Sequence, residues 1–116
     1  TPAEIDEAVA SVAPEFLDIL REAAENIRAF HERQVRNSFI TSGKNGALLG
    51  QRVIPLKRVG IYVPGGTASY PSTVLMNAVP PHIAGVKEIV ACTPAGKTGE
   101  VNPVLLYALI LHRYRL

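Results

Sequence analysis

The stretch from Arg58 to Cys92 limits the possible folds more than any other part of the chain. Arg58-Val59-Gly60-Ile61-Tyr62-Val63 is a short apolar run, cut off by Pro64-Gly65-Gly66. Such a run, bounded by breakers, reads as a buried strand. Pro71 to Ala78 then carries a helical pattern, with Val74, Leu75 and Ala78 on one side. Pro80 and Pro81 are expected to interrupt or restart that helix, and Gly85 to stop it. Lys87-Glu88-Ile89-Val90-Ala91-Cys92 is a second strand, followed by a loop of glycine, proline and lysine up to Gly99. From Val101 the chain is helical again, with Asn102 as cap and Pro103 in the first turn. Strand, helix, strand, helix in that order calls for a parallel βαβ unit with a right-handed crossover.

The first half of the chain has a different pattern. Thr1-Pro2-Ala3-Glu4 reads as a capping box opening a short helix to about Val12. Pro14 opens a second helix, in which Phe16, Leu20, Ala23, Ile27 and Phe30 recur at helical spacing, widened by Leu17 and Ala24. This is one apolar face, expected to end between Gln34 and Asn37. The cluster Ser42-Gly43-Lys44-Asn45-Gly46 then marks a turn between Phe39-Ile40 and the run from Ala47 to Leu56. Asn-Gly between apolar runs predicts a β-hairpin or two short strands, with Pro55 at an edge. The expected fold is therefore α/β. Residues 1–57 form a helical segment with a hairpin, part of a first domain, and residues 58–116 a partial Rossmann-like βαβα unit.

Composition narrows the classes of function. In 116 residues, 47% hydrophobic and 19% charged content suits a globular chain with a real core. A net charge of +2 without a dense basic cluster gives no nucleic-acid surface. No apolar run is long enough to span a bilayer, and no apolar leader segment is present. The single cysteine, Cys92, cannot close an internal disulfide, so a reducing cytoplasm fits.

The loop Val63-Pro64-Gly65-Gly66-Thr67 is the place for chemistry. In open α/β sheets ligands gather beyond the carboxyl ends of the strands. Two glycines lack Cβ atoms and let backbone N–H groups approach an anion, while the following helix start adds partial positive charge. Tyr62 is placed to stack on a ring or hydrogen-bond a ribose, and Ser69, Ser72 and Thr73 offer hydroxyls nearby. Pro-Gly-Gly is also an ordinary turn, and Tyr62 equally suits a core position. The pattern is neither G-x-G-x-x-G nor a P-loop. His31 reads as a half-exposed helix residue with a ligand contact open to it, His82 as a helix-surface residue, and His112 as part of a basic tail. No histidine pair has metal-ligand spacing, and Cys92 reads as structural.

The run from Arg58 to Val90, RVGIYVPGGTASYPSTVLMNAVPPHIAGVKEIV, closely resembles the cofactor-binding region of the histidinol dehydrogenase family. The preceding ILREAAENIRAFHERQ resembles the helix before it, and the likeness covers about Leu17 to Tyr107. It implies an N-terminal stretch of a homodimeric enzyme that oxidises L-histidinol to L-histidine through histidinaldehyde, reducing two NAD and binding zinc. By the same resemblance Tyr62 contacts NAD, with Pro64, Gly65 and Gly66 in the adjoining loop. The zinc ligands and the glutamate–histidine acid/base pair lie downstream of Leu116, so this chain carries no catalytic or metal-ligating residue and is expected to be inactive alone. Two departures stand beside the likeness: LILHRYRL at the end differs from the family pattern, and the family has residues before Thr1. Other readings are a related alcohol dehydrogenase, such as one acting on a sulfonated propanediol, and a non-catalytic remnant. Relatives of the former kind diverge just after Pro-Gly-Gly, whereas YPSTVLMN here keeps the histidinol pattern.

Overall fold

The structure, a computed structural model, describes residues 1–65, 70–96 and 99–111. Its elements are α1 (Pro2–Ala10), α2 (Pro14–Glu32), β1 (Phe39–Ser42), β2 (Leu48–Gln51), β3 (Arg58–Tyr62), α3 (Pro71–Ile83), β4 (Glu88–Cys92) and α4 (Pro103–Leu111). The expected α/β class holds. β3 and β4 pair in parallel, with Arg58 opposite Glu88 and Tyr62 opposite Cys92, and α3 is the connection between them.

Local chemistry sets the helix ends. Thr1 and Glu4 form the capping box of α1, which satisfies two backbone N–H groups that a helix start leaves open. Asn102 caps α4, its Oδ1 accepting from the Val104 N–H at 2.9 Å, and Pro103 follows at the first position, where its missing N–H costs nothing. Contrary to the expected break, α3 runs through Pro80 and Pro81 to Ile83. The prolines remove N–H donors only toward the carbonyls of Met76 and Asn77, and both residues are exposed, so water can replace the lost bonds. The Pro80 and Pro81 carbonyls still accept from Ala84 and Val86.

One core joins α2, α3, α4 and the end of β3. It contains Leu17, Leu20, Ala24, Val63, Val74, Leu75, Leu105, Tyr107, Ala108 and Leu111. The α2 face is centred on Leu17, Leu20 and Ala24 rather than on the stripe through Phe16 and Phe30. Phe30 is 62% exposed, because α3 and α4 press on the side that Leu17 and Leu20 share. α2 also ends at Glu32, a little earlier than expected. α4 is apolar on nearly every side, as fits a helix packed against α1, α2 and α3. Arg21 lies over the Tyr107 ring at 5.7 Å, a cation–π contact at the core margin.

The hairpin differs from the rest. β1 and β2 pair antiparallel, Phe39 opposite Gln51 and Ser42 opposite Leu48. Asn45 (φ 64°) and Gly46 (φ 77°) take the left-handed backbone of the turn, which Asn and Gly adopt most easily. β2 stops at Gln51, so Pro55 is not a strand-edge residue. It lies instead against Gly85, where an added Cβ would come within 3.3 Å of the proline ring. All strand residues of the hairpin are exposed. The arm makes the molecule long, 67 × 26 × 24 Å, with a radius of gyration of 18.3 Å. A compact chain of this length would have a radius of about 13 Å.

Candidate functional site

Alternation along β3 and β4 gives their sheet two unlike faces. Val59, Ile61, Ile89 and Ala91 are half-buried on the helix side, and Ile61 packs against the core. Gly60, Tyr62, Val90 and Cys92 lie on the other face and are exposed. Tyr62 is 66% exposed, and a Cβ built on Gly60 would meet nothing within 4 Å. The tyrosine ring therefore stands at the carboxyl end of the strand, beside an open stretch of sheet. The core-aromatic reading of Tyr62 does not hold within these residues.

Beyond the strands, two loops meet. The Val63 N–H donates to the Cys92 carbonyl at 2.9 Å and carries the pairing one residue past the sheet. Val63 itself is buried at 1% exposure and anchors the loop in the core. Pro64 is exposed, and Gly65 presses against the loop that leaves β4. A Cβ on Gly65 would lie 2.7 Å from the Pro94 carbonyl oxygen and 3.1 Å from Thr93 Oγ1. Only glycine fits there without displacing backbone. Gly66, Thr67 and Ser69, which the sequence reading joined to this site, lie outside the described residues.

Two features near the strand ends suit an oxygen-rich ligand. Thr93 Oγ1 is buried and has no hydrogen-bond partner among the described residues, an arrangement that leaves a donor and acceptor unused. α3 begins at Tyr70-Pro71 with no side-chain cap, so its first N–H groups keep their partial positive charge. Thr93 escaped the sequence reading, which took the segment after β4 as a loop without a role. The available signal was its position, one residue beyond the second parallel strand. Ser72 is exposed and Thr73 half-buried on the first turn of α3.

The other singled-out residues lie apart from this end. His31 is half-buried on α2, its Nδ1 2.6 Å from Gln34 Oε1 and its ring edge-on to Phe30. It borders a cleft of about 320 Å³ shared with Val53 and Pro80. His82 is half-buried near the end of α3, and His112 lies outside the described residues. Cys92 is exposed, in register with Tyr62, at the end of a strand expected to be buried. Among the described residues no three His, Cys, Asp or Glu side chains could jointly hold a metal ion. None of the described helices is long and apolar enough to cross a membrane.

Comparison with known proteins agrees with this arrangement. The sequence profile of the histidinol dehydrogenase family matches residues 1–113. Histidinol dehydrogenase from Heliobacterium mobile is 58% identical over 106 residues, 91% of this chain and 25% of that protein. The Bacillus subtilis enzyme is 49% identical over 108 residues, again 25% of its length. The crystal structure of histidinol dehydrogenase from Elizabethkingia anophelis superposes with a TM-score of 0.90 at 38% identity, covering 97% of this chain and 26% of that one. The chain thus spans about a quarter of the length of the relatives it matches. With nearly its whole length matched by the family profile, and its fold shared with a solved member, the chain belongs to the histidinol dehydrogenase family.

Proposed function

We propose that residues 58–116 hold NAD for the oxidation of L-histidinol to L-histidine through histidinaldehyde. Residues 1–57, the helices and hairpin, form part of a first domain, with α2 sharing its core with α3 and α4. The observation that carries the reading is the close approach of Gly65 to the loop after β4. It brings two strand-exit loops together at one end of a parallel sheet, where dinucleotide phosphates are held in open α/β folds. Bound NAD supplies the hydride acceptor. The chain's own residues do the holding. Tyr62 offers an exposed ring for stacking or a hydroxyl for a ribose, and in the Pro64-Gly65-Gly66 loop the two glycines carry backbone N–H groups with no Cβ beside them.

No acid/base pair is assigned within this chain, and its described residues fit no zinc site. Zinc, the acid/base pair and L-histidinol itself belong, on family likeness, to the remainder of a homodimeric cytoplasmic enzyme. The 116 residues alone are then inactive. The alternative alcohol dehydrogenase is not favoured, since curated relatives 58% and 49% identical to this chain are histidinol dehydrogenases.

Calorimetric titration of the purified chain with NAD tests the holding role. Saturable binding that weakens about tenfold in Tyr62→Ala, a loss of roughly 1.4 kcal/mol, is expected. Absence of binding, or an unaffected variant, would reject it. Histidinol-dependent NAD reduction by the purified chain would refute the assignment of acid/base chemistry elsewhere.

A further inference from the structure

The cleft beside His31 takes no part in the cofactor reading. It lies where α2 and α3 end, whereas the strand-exit loops lead into the start of α3. Its volume is about 320 Å³. His31 borders it from the last turn of α2, and Gln34 and Arg36 from the chain that follows. Val53 closes it from the segment after β2, and Pro80 and Ile83 from the end of α3. The Val53 wall is held on both sides. Its N–H donates to Ser38 Oγ at 2.9 Å, at the base of the arm. Two residues on, Pro55 lies against Gly85. The space is therefore shaped before any ligand arrives, which lowers the cost of filling it.

Charge decides what the cleft takes. Two helix ends meet there, and helix ends carry partial negative charge on their open carbonyls. Here those carbonyls are engaged. After α2, the Gln34 and Val35 N–H groups donate to the His31 and Glu32 carbonyls. After α3, the Ala84, Gly85 and Val86 N–H groups donate to the carbonyls of Pro80, His82 and Pro81. Gly85, at φ 92°, makes the left-handed turn that this closure needs. The side chains are left to set the field. Arg36 has no ion pair among the described residues. It stands in a stretch, Arg33 to Lys57, with five cations and no carboxylate. Glu32, the nearest carboxylate in sequence, does not line the cleft. His31 Nδ1 lies 2.6 Å from Gln34 Oε1. That oxygen only accepts, so Nδ1 holds the proton and Nε2 is the ring nitrogen left for a ligand.

We propose that this cleft binds a small carboxylic acid with an apolar body, aromatic or branched aliphatic. The carboxylate sits on the Arg36 guanidinium, whose planar fork matches its two oxygens. The Gln34 amide and His31 lie beside it. The body lies between Val53, Pro80 and Ile83, of which Val53 is 42% exposed in the empty cleft. Ligand clefts run from about 300 to 1,000 Å³, so this one suits a molecule of roughly one ring. An inorganic anion would leave the apolar wall wet, and a neutral ring would leave Arg36 unmatched. The inference is independent of the cofactor reading, since no residue of the strand-exit loops takes part.

Benzoate is the probe, followed by backbone amide shifts of the 116-residue chain. Saturable shifts in the millimolar range are expected at residues 31–36, 53 and 82–84, with residues 60–65 and 92–96 unmoved. Arg36→Gln, which keeps hydrogen bonding and removes the charge, weakens binding about tenfold. His31→Phe, which keeps the ring and removes Nε2, weakens it by a smaller factor. Val53→Asp places a like charge on the apolar wall and abolishes saturation. Lys44→Gln, a cation at the turn of the hairpin and outside the cleft, leaves the affinity unchanged. Inorganic phosphate and benzyl alcohol, each with half of the required chemistry, bind about tenfold more weakly than benzoate or less. Circular dichroism verifies that each variant folds, and where Val53→Asp does not, Arg36→Gln decides. Shifts that do not saturate, or that fall on the strand-exit loops, overturn the proposal. So does phosphate or benzyl alcohol binding as tightly as benzoate, or equal losses in Arg36→Gln and Lys44→Gln.

Discussion

The two small sheets of this chain are built from strands of nearly equal length and have opposite surroundings. β3 and β4 alternate exposed and half-buried residues, with one face toward the helices. β1 and β2 pair as regularly but bury nothing. The difference is in what lies beside them. α3 returns the chain across one face of the parallel pair, because parallel strands cannot be joined without a crossover. The hairpin closes on itself through Asn45-Gly46 and needs no neighbour to form its turn. Pairing is therefore local in the hairpin and depends on the crossover in the parallel sheet, and only the parallel sheet is partly buried. The strand-exit loops that hold the candidate site belong to the anchored sheet, where Val63 fixes their base.

The largest test of this contrast is a core truncation. Leu75→Ala, at a position 1% exposed, should cost about 2–5 kcal/mol in urea denaturation. Ile40→Ala on the arm, measured under monomeric conditions, should change the same transition by less than about 0.5 kcal/mol. Equal losses at the two positions would break the comparison.

Gly65→Ala comes next. A Cβ only 2.7 Å from the Pro94 carbonyl oxygen forces backbone to move, and overpacking of this kind costs about 1–3 kcal/mol. The account expects that loss together with weaker NAD binding, read by denaturation and calorimetry on the same sample. A variant of native stability and affinity would show the two loops to be independent.

Asn102→Ala removes the cap of α4 and should cost about 1 kcal/mol. Because α4 lies in the core shared with α2 and α3, the loss should appear in the global transition. Loss confined to hydrogen exchange in the first turn of α4 would mean that the helix frays apart from that core.

The smallest effect is expected at Thr93→Val. The hydroxyl is buried without a partner among the described residues, so removing it should leave stability unchanged or raise it by up to about 1 kcal/mol. NAD affinity should fall in the same variant if that hydroxyl serves the cofactor. Destabilisation by the same change would show that the hydroxyl is already engaged.

Much of this architecture was legible in the sequence where one local rule was enough. The run to Val63 and the break at Pro64 mark the end of β3. Asn102-Pro103 marks the start of α4, and Asn45-Gly46 the turn of the hairpin. Where tertiary contacts decide, the sequence was less informative. Phe16 and Phe30 share the helical spacing of α2, yet α3 and α4 approach from the side of Leu17, Leu20 and Ala24. Pro80 and Pro81 do not end α3, because the carbonyls they leave without donors belong to exposed residues. At the candidate site, strand-end logic named Tyr62, Pro64 and Gly65. It did not name Thr93, because the significance of that residue depends on a contact with Gly65 across two strands. The five cations of the arm were present in the sequence but were averaged away in a net charge of +2.

The most direct measurement is a backbone amide chemical-shift map of the chain titrated with NAD. The account predicts saturable shifts grouped at residues 60–65 and 92–96, with residues 39–51 of the arm unmoved. Shifts that fall on the arm, or on neither group, would contradict the claim that the paired strand ends hold the cofactor.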